Sequence, residues 1–126
     1  VPEGYEPDET VLAEAQADAA LTGAKLTVTH DLAEAVSGAD ALYTDVWASM
    51  GQEAEAKKRQ QDMMPYQLNE KALAMAKPDA IVLHCLPAHR GEEITDSVIE
   101  GPQSKVFDEA ENRLHAQMAV LVQVIG

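Results

Sequence analysis

Apolar residues recur along this chain with two different spacings, and each change of spacing marks an element. After Pro7 and the candidate cap Asp8, positions Val11, Leu12, Ala15, Ala19 and the neighbouring Leu21 repeat at helical intervals, and Gly23 offers a left-handed stop. That pattern predicts a helix with one buried face. The β-branched run "AKLTVT" at 24–29 predicts a strand, and "DLAEAVSG" a short helix capped by Asp31 and ended by Gly38. The nearly continuous apolar run "ALYTDV" at 41–46 reads as a strand covered on both faces, as does "AIVLHCL" at 80–86. Between them, "NEKALAMAK" predicts a helix halted at Lys77 by Pro78.

Residues 47–67, "WASMGQEAEAKKRQQDMMPYQ", show no clean period and read as a long irregular segment of the functional or mobile kind. Further on, "ITDSVIEG" predicts a helical turn and "SKVFDE" a short strand. Asp108 and Glu111 then form a D-x-x-E variant of the capping box ahead of a last helix with Leu114, Met118, Leu121, Val122 and Ile125 on one face. Helices and strands that alternate with short connections imply an α/β fold with a parallel sheet.

Composition narrows the partners. The chain has 126 residues, 46% hydrophobic and 25% charged, and is read as one domain at most, with no apolar run long enough to span a membrane. No secretory signal is visible at the N-terminus, and one cysteine fits a reducing, cytoplasmic compartment. With 9 Lys+Arg against 22 Asp+Glu, the net charge of -13 opposes a sequence-independent grip on nucleic acid. The same field repels small anions, so an anion site needs local cations, for which Lys57, Lys58, Arg59, Arg90 and Arg113 are the candidates.

In a parallel α/β sheet, ligands bind beyond the carboxyl ends of the strands. That rule picks out "TDVWASMG" and "HCLPAHRG". Taken singly, their residues have ordinary explanations. Cys85 at a strand end is more often a small core residue than a reactive thiol, Met50 a gap filler, and Asp45 a cap or turn former. His84, Cys85 and His89 lack a fourth zinc ligand, and a His84–Cys85 nucleophilic pair is opposed by the alternation of adjacent strand residues between faces. Arg113, if the last helix starts at 108–110, lies in its first turn, where a cation gains most by sharing an anion with the free N–H groups. An intrahelical pair with Glu109 is the plainer alternative.

Three blocks in order, "TDVWASMGQE", "LHCLPAHRGEE" and "DEAENRLHAQMAVL", closely resemble the C-terminal part of ornithine carbamoyltransferases. The resemblance runs from "GYEPDE" to the final helix. Aspartate carbamoyltransferases read "HPLPR" where this chain has "HCLPA", and they lack the "SMG" loop. The resemblance implies carbamoyl transfer from carbamoyl phosphate to the δ-amino group of L-ornithine, giving citrulline and phosphate, without a metal or an organic cofactor. It further implies that Asp45 pairs with the α-ammonium of ornithine and that Ser49 and Met50, in a lid over 47–64, contact its amino-acid end. Cys85 and the carbonyl of Leu86 would orient the δ-amine, with no covalent thiol intermediate, and Arg113 would hold carbamoyl phosphate. His84, His89 and Arg90 would support the site.

The family's "STRTR" phosphate loop, "HPxQ" segment and "GDxNN" strand-loop do not occur in these 126 residues. The expected fold is therefore α/β, a partial doubly wound (Rossmann-like) parallel sheet in three layers with its first two strands missing. Residues 1–126 would be the C-terminal part of the aspartate/ornithine-binding domain, a fragment inactive alone whose partner is the carbamoyl-phosphate domain of a homotrimeric enzyme. A noncatalytic amino-acid-binding half-domain is the alternative.

Overall fold

The computed structural model describes residues 1–48 and 53–126. Six α-helices are described, in the order α1 (Glu9–Thr22), α2 (Leu32–Val36), α3 (Glu53–Met63), α4 (Glu70–Met75), α5 (Asp96–Ile99) and α6 (Val106–Ile125). The two strands are β1 (Ala41–Thr44), between α2 and α3, and β2 (Ile81–His84), between α4 and α5. They pair in parallel with the register Ala41↔Ile81 through Thr44↔His84, so both strands end at the same edge. A mixed fold with a small parallel sheet was legible in the sequence.

Local chemistry explains the helix boundaries. The Asp8 carboxylate accepts from the amides of Thr10 and Val11, and Gly23 ends α1 with φ 78, a left-handed conformation that costs a residue without Cβ nothing. Asp31 caps α2 and Asn69 caps α4 in the same way, each accepting two amides of the first turn. The core gathers one or two residues from each surrounding element: Val36, Leu42, Ala72, Val82, Val98, Ile99 and Val106. Leu68 and Ile94 complete it, and their segments are welded by backbone bonds from Leu68 to the Glu93 carbonyl (2.8 Å) and from Thr95 to the Leu68 carbonyl (3.2 Å).

Several expectations fail. Residues 24–29 form no strand: β-branched propensity has no effect without a partner ladder, and the described residues offer none. The "SKVFDE" strand shrinks to one bridge between Ser104 and Val82, because Lys105 turns its amide onto the Val82 carbonyl and the chain enters α6 at Val106. The last helix thus starts earlier than the capping-box pattern implied, and its N-cap Lys105 makes no side-chain cap. Asp108 lies within the first turn, where a negative charge suits the helix dipole.

The irregular segment is helical from 53 onward. "EAEAKKRQQDM" consists of strong helix formers and needs no apolar stripe to coil. It is tied down by the Lys58–Asp62 pair at 2.5 Å and by the Tyr5 hydroxyl donating to Asp62 at 2.9 Å. Both strands bury one face only, through Leu42 on β1 and Val82 and His84 on β2, while Tyr43 is exposed. α1 buries no residue, and the apolar face of α6 is exposed from Leu114 to Ile125.

Ile94 is fully buried and Leu121 is not. Ile94→Ala is expected to lower unfolding free energy by about 2–5 kcal/mol, against less than about 0.5 kcal/mol for Leu121→Ala, in urea titrations. Equal losses would place the core elsewhere.

Candidate functional site

The carboxyl end of β2 is built around a histidine with both ring nitrogens committed. His84 is completely buried. Its Nδ1 lies 2.9 Å from the amide of Leu86, and a backbone N–H can only donate, so Nδ1 is the acceptor. The ring proton then sits on Nε2, which donates to Glu93 Oε1 at 3.0 Å. Glu93 is equally buried, and the same oxygen accepts the amide of His89 at 2.6 Å. One carboxylate oxygen therefore fixes both the tautomer of His84 and the far end of the loop.

That arrangement shapes the turn. Leu86 adopts φ 53, a left-handed conformation costing a residue with Cβ about 1–2 kcal/mol, and the bond from its amide to His84 helps hold it there. The Leu86–Pro87 peptide that follows is cis. Strand alternation sends His84 inward and Cys85 outward, so the thiol is exposed and the core reading of Cys85 is set aside.

Cys85 is partnered by Asp45 across the sheet edge. Sγ donates to Asp45 Oδ1 at 3.0 Å, and the same oxygen accepts the Val46 amide at 2.7 Å. The Asp45 hydrogen bond, then burial, then the Asp45 charge push the thiol above its ordinary value. Reciprocally, the thiol's bond and the Val46 amide outweigh burial and hold the Asp45 carboxyl below the usual range. A thiol kept protonated is a hydrogen-bonding group and a poor nucleophile. The imagined His84–Cys85 pair does not form, since His84 has no nitrogen to spare.

Metal ligation meets the same obstacle. Donor atoms of Asp45, His84 and Cys85 lie within 4.8 Å of one another, but both nitrogens of His84 are engaged. His89 groups with Glu92 and Glu93 instead of completing a set with Cys85.

Cys85, Leu86, Pro87 and Ala88 form one wall of an open cleft of about 570 Å³; Phe107, Ala110 and Arg113 of α6 form the other. The structure thus brings Cys85, Leu86 and Arg113 together, with Asp45 joined through the thiol. Arg113 arrives there from beyond the first turn of α6, so the helix-dipole argument for it fails, and the pair with Glu109 is not formed. Among the described residues it makes no ion pair or hydrogen bond. Arg90 also lines the cleft but is bound by Asp96 at 2.8 Å and by Glu100. Lys58 and Arg59 lie over the Tyr5 ring, lining a separate hollow. Ser49 and Met50 lie outside the described residues.

Sequence reasoning missed Tyr43 and the contacts of Glu109. The Glu109 carboxylate accepts the His84 amide at 3.0 Å, and it is the chief cause, ahead of burial, that pushes the Tyr43 phenol up to about 12. The alternation of β1 was the available signal, since Tyr43 and Asp45 share a face.

Iodoacetamide traps thiolate, and Cys85 is the only cysteine of the chain. Its rate–pH midpoint is expected above that of cysteine in a short peptide and should move down in Asp45→Asn, which removes the opposing charge. A midpoint at the peptide value, unmoved by that substitution, would break the Cys85–Asp45 assignment.

Comparison with known proteins gives a consistent picture. The family model described as "Aspartate/ornithine carbamoyltransferase, Asp/Orn binding domain" matches residues 1–124. The chain is 58% identical over 125 residues to the ornithine carbamoyltransferase of Thermococcus kodakarensis, covering 99% of this chain and 40% of that protein. The solved ornithine carbamoyltransferase of Pyrococcus furiosus superposes with a TM-score of 0.89 at 58% identity, over 95% of this chain and 38% of that one. An anabolic ornithine carbamoyltransferase from Campylobacter jejuni gives 0.91 at 36% identity, over 97% and 40%. The chain spans about two fifths of the length of these relatives.

Proposed function

Because the chain belongs to the aspartate/ornithine carbamoyltransferase family, we propose that it forms the amine-binding side of a carbamoyl transfer from carbamoyl phosphate to the δ-amino group of L-ornithine, yielding L-citrulline and phosphate. The observation that carries the reading is the meeting of Cys85, Leu86 and Arg113 on one cleft, with Asp45 fixed beside the thiol.

Chemistry then assigns the roles. The δ-nitrogen must reach the carbamoyl carbon with its lone pair aligned, and near-attack positioning of this kind removes a large part of a bimolecular barrier. The Cys85 thiol and the Leu86 carbonyl, set at a fixed angle by the His84 bond, orient that nitrogen. Arg113 donates to the carbamoyl oxygen as negative charge develops on it, the arrangement by which a preorganised donor favours a tetrahedral centre. As the centre collapses, the bond from carbon to the phosphate oxygen breaks, and the departing phosphate takes up the proton that the amine nitrogen sheds. Asp45 receives the α-ammonium, and Ser49 and Met50 contact the amino-acid end of the substrate.

The remaining parts of the reaction belong to groups these 126 residues do not contain. The phosphate is held by a carbamoyl-phosphate domain carrying the "STRTR" and "HPxQ" motifs, in a cytoplasmic homotrimer. The described strands continue a three-layered, doubly wound sheet. Residues 1–126 alone, with a net charge of -13 and one unpaired arginine at the cleft among those described, turn over no carbamoyl phosphate.

The test grafts this chain in place of the matching segment of the Pyrococcus furiosus enzyme and measures citrulline. Turnover is expected in the graft and none from the isolated chain. Arg113→Ala should lower kcat/KM for carbamoyl phosphate by about 10²–10³-fold. Cys85→Ala should weaken ornithine use with the fold intact. A folded graft with no activity, or one indifferent to both substitutions, would favour a noncatalytic amino-acid-binding half-domain.

A further inference from the structure

α6 runs for twenty residues, yet little of it touches the rest of the protein. Val106 is fully buried, and every residue from Ala110 to Gly126 is exposed. Glu109 is the one other residue of the helix, after Val106, that is partly buried. Helical geometry puts Val106, Glu109, Ala110 and Arg113 on one side, with Arg113 a single turn beyond Glu109. The direction in which Arg113 projects is therefore set by how that turn is fastened.

Glu109 is fastened to the end of β2. Its Oε2 accepts the backbone amide of His84, the last residue of β2, at 3.0 Å. On β1, the Tyr43 phenol is pushed up to about 12, chiefly by the same carboxylate and then by burial. Tyr43 and His84 lie one register step apart at the paired strand ends, where Tyr43↔Leu83 and Thr44↔His84 are opposite each other. The carboxylate thus ties the helix to the end of β2, at the edge from which Cys85 and Leu86 emerge.

The geometry points to Glu109 as a positioning residue, which locks the rotation of α6 against the end of β2 and so sets Arg113 across the cleft from Cys85 and Leu86. This rests on the carbamoyl-transfer reading for its functional meaning. Glu109 touches no reacting atom in it. The carboxylate suits the task because its charge-assisted bond to the His84 amide is directional, whereas the Val106 contact, being non-directional, leaves the helix free to roll.

Amide exchange and amide residual dipolar couplings of the 126-residue chain test it. In the unaltered chain, the couplings of 110–124 should fit the alignment tensor of β1 and β2, and the His84 amide should be protected. Glu109→Ala should speed His84 exchange at least about tenfold and break the shared tensor while α6 stays helical. Glu109→Gln, which keeps an acceptor, should restore protection to within about threefold. A Glu109→Ala chain with unaltered His84 exchange and a shared tensor overturns the proposal, as does a Gln variant no better than Ala. These readouts need no substrate. An inactive graft with couplings as expected removes the transfer reading alone, and an active graft with couplings unaffected by Glu109→Ala removes the positioning role alone.

Discussion

The buried contact between His84 and Glu93 is the constraint from which the rest of the site follows. Neither side chain reaches solvent, and the imidazole spends both nitrogens, one on the carboxylate and one on the Leu86 amide. A buried donor without an acceptor costs about 1–3 kcal/mol, so the loop takes the one path that satisfies the Leu86 amide, the His84 ring and the His89 amide together. That path forces Leu86 into a left-handed conformation and turns Cys85 outward to Asp45. The opposite wall, with Arg113, is then brought to the same strand end through the His84 amide.

The pairing of polar groups also explains how an acidic chain presents a cation at its cleft. Most basic side chains near a carboxylate are already claimed: Arg90 by Asp96 and Glu100, Lys77 by Asp40, Lys58 by Asp62. Glu109, one turn before Arg113, is occupied by the His84 amide. Arg113 is left with its donors available among the described residues. The same economy of charge keeps Cys85 a thiol, because the carboxylate it donates to resists a second negative charge beside it.

Much of this was readable from residue types and spacing, and the failures have definable causes. Caps such as Asp8, Asp31 and Asn69 act through neighbours a few residues away, so the sequence contains the whole interaction. The segments around Asp45 and Cys85 were singled out, although the strands end two residues earlier than expected, at Thr44 and His84, because the carboxyl edge of a parallel sheet gathers ligand groups whatever the details. Residues 24–29 and 104–109 misled because strand formation depends on a distant partner that local propensity does not report. α3 was overlooked because its helix rests on good formers and ion pairs rather than on an apolar stripe. Glu109 was visible only as a possible partner of Arg113, since the amide it accepts belongs to His84, on a strand 25 residues earlier in the chain.

The geometry of this strand end depends on the state of the His84 ring. Nitrogen-15 correlation spectra of the imidazole, recorded near neutral pH, distinguish a protonated from an unprotonated nitrogen at each position. The bonds to Leu86 and Glu93 require the proton on Nε2 and a bare, hydrogen-bonded Nδ1. Finding the proton on Nδ1 would mean that the Leu86 amide has no acceptor there, and the geometry that delivers Cys85 and Leu86 to the cleft would have to arise some other way.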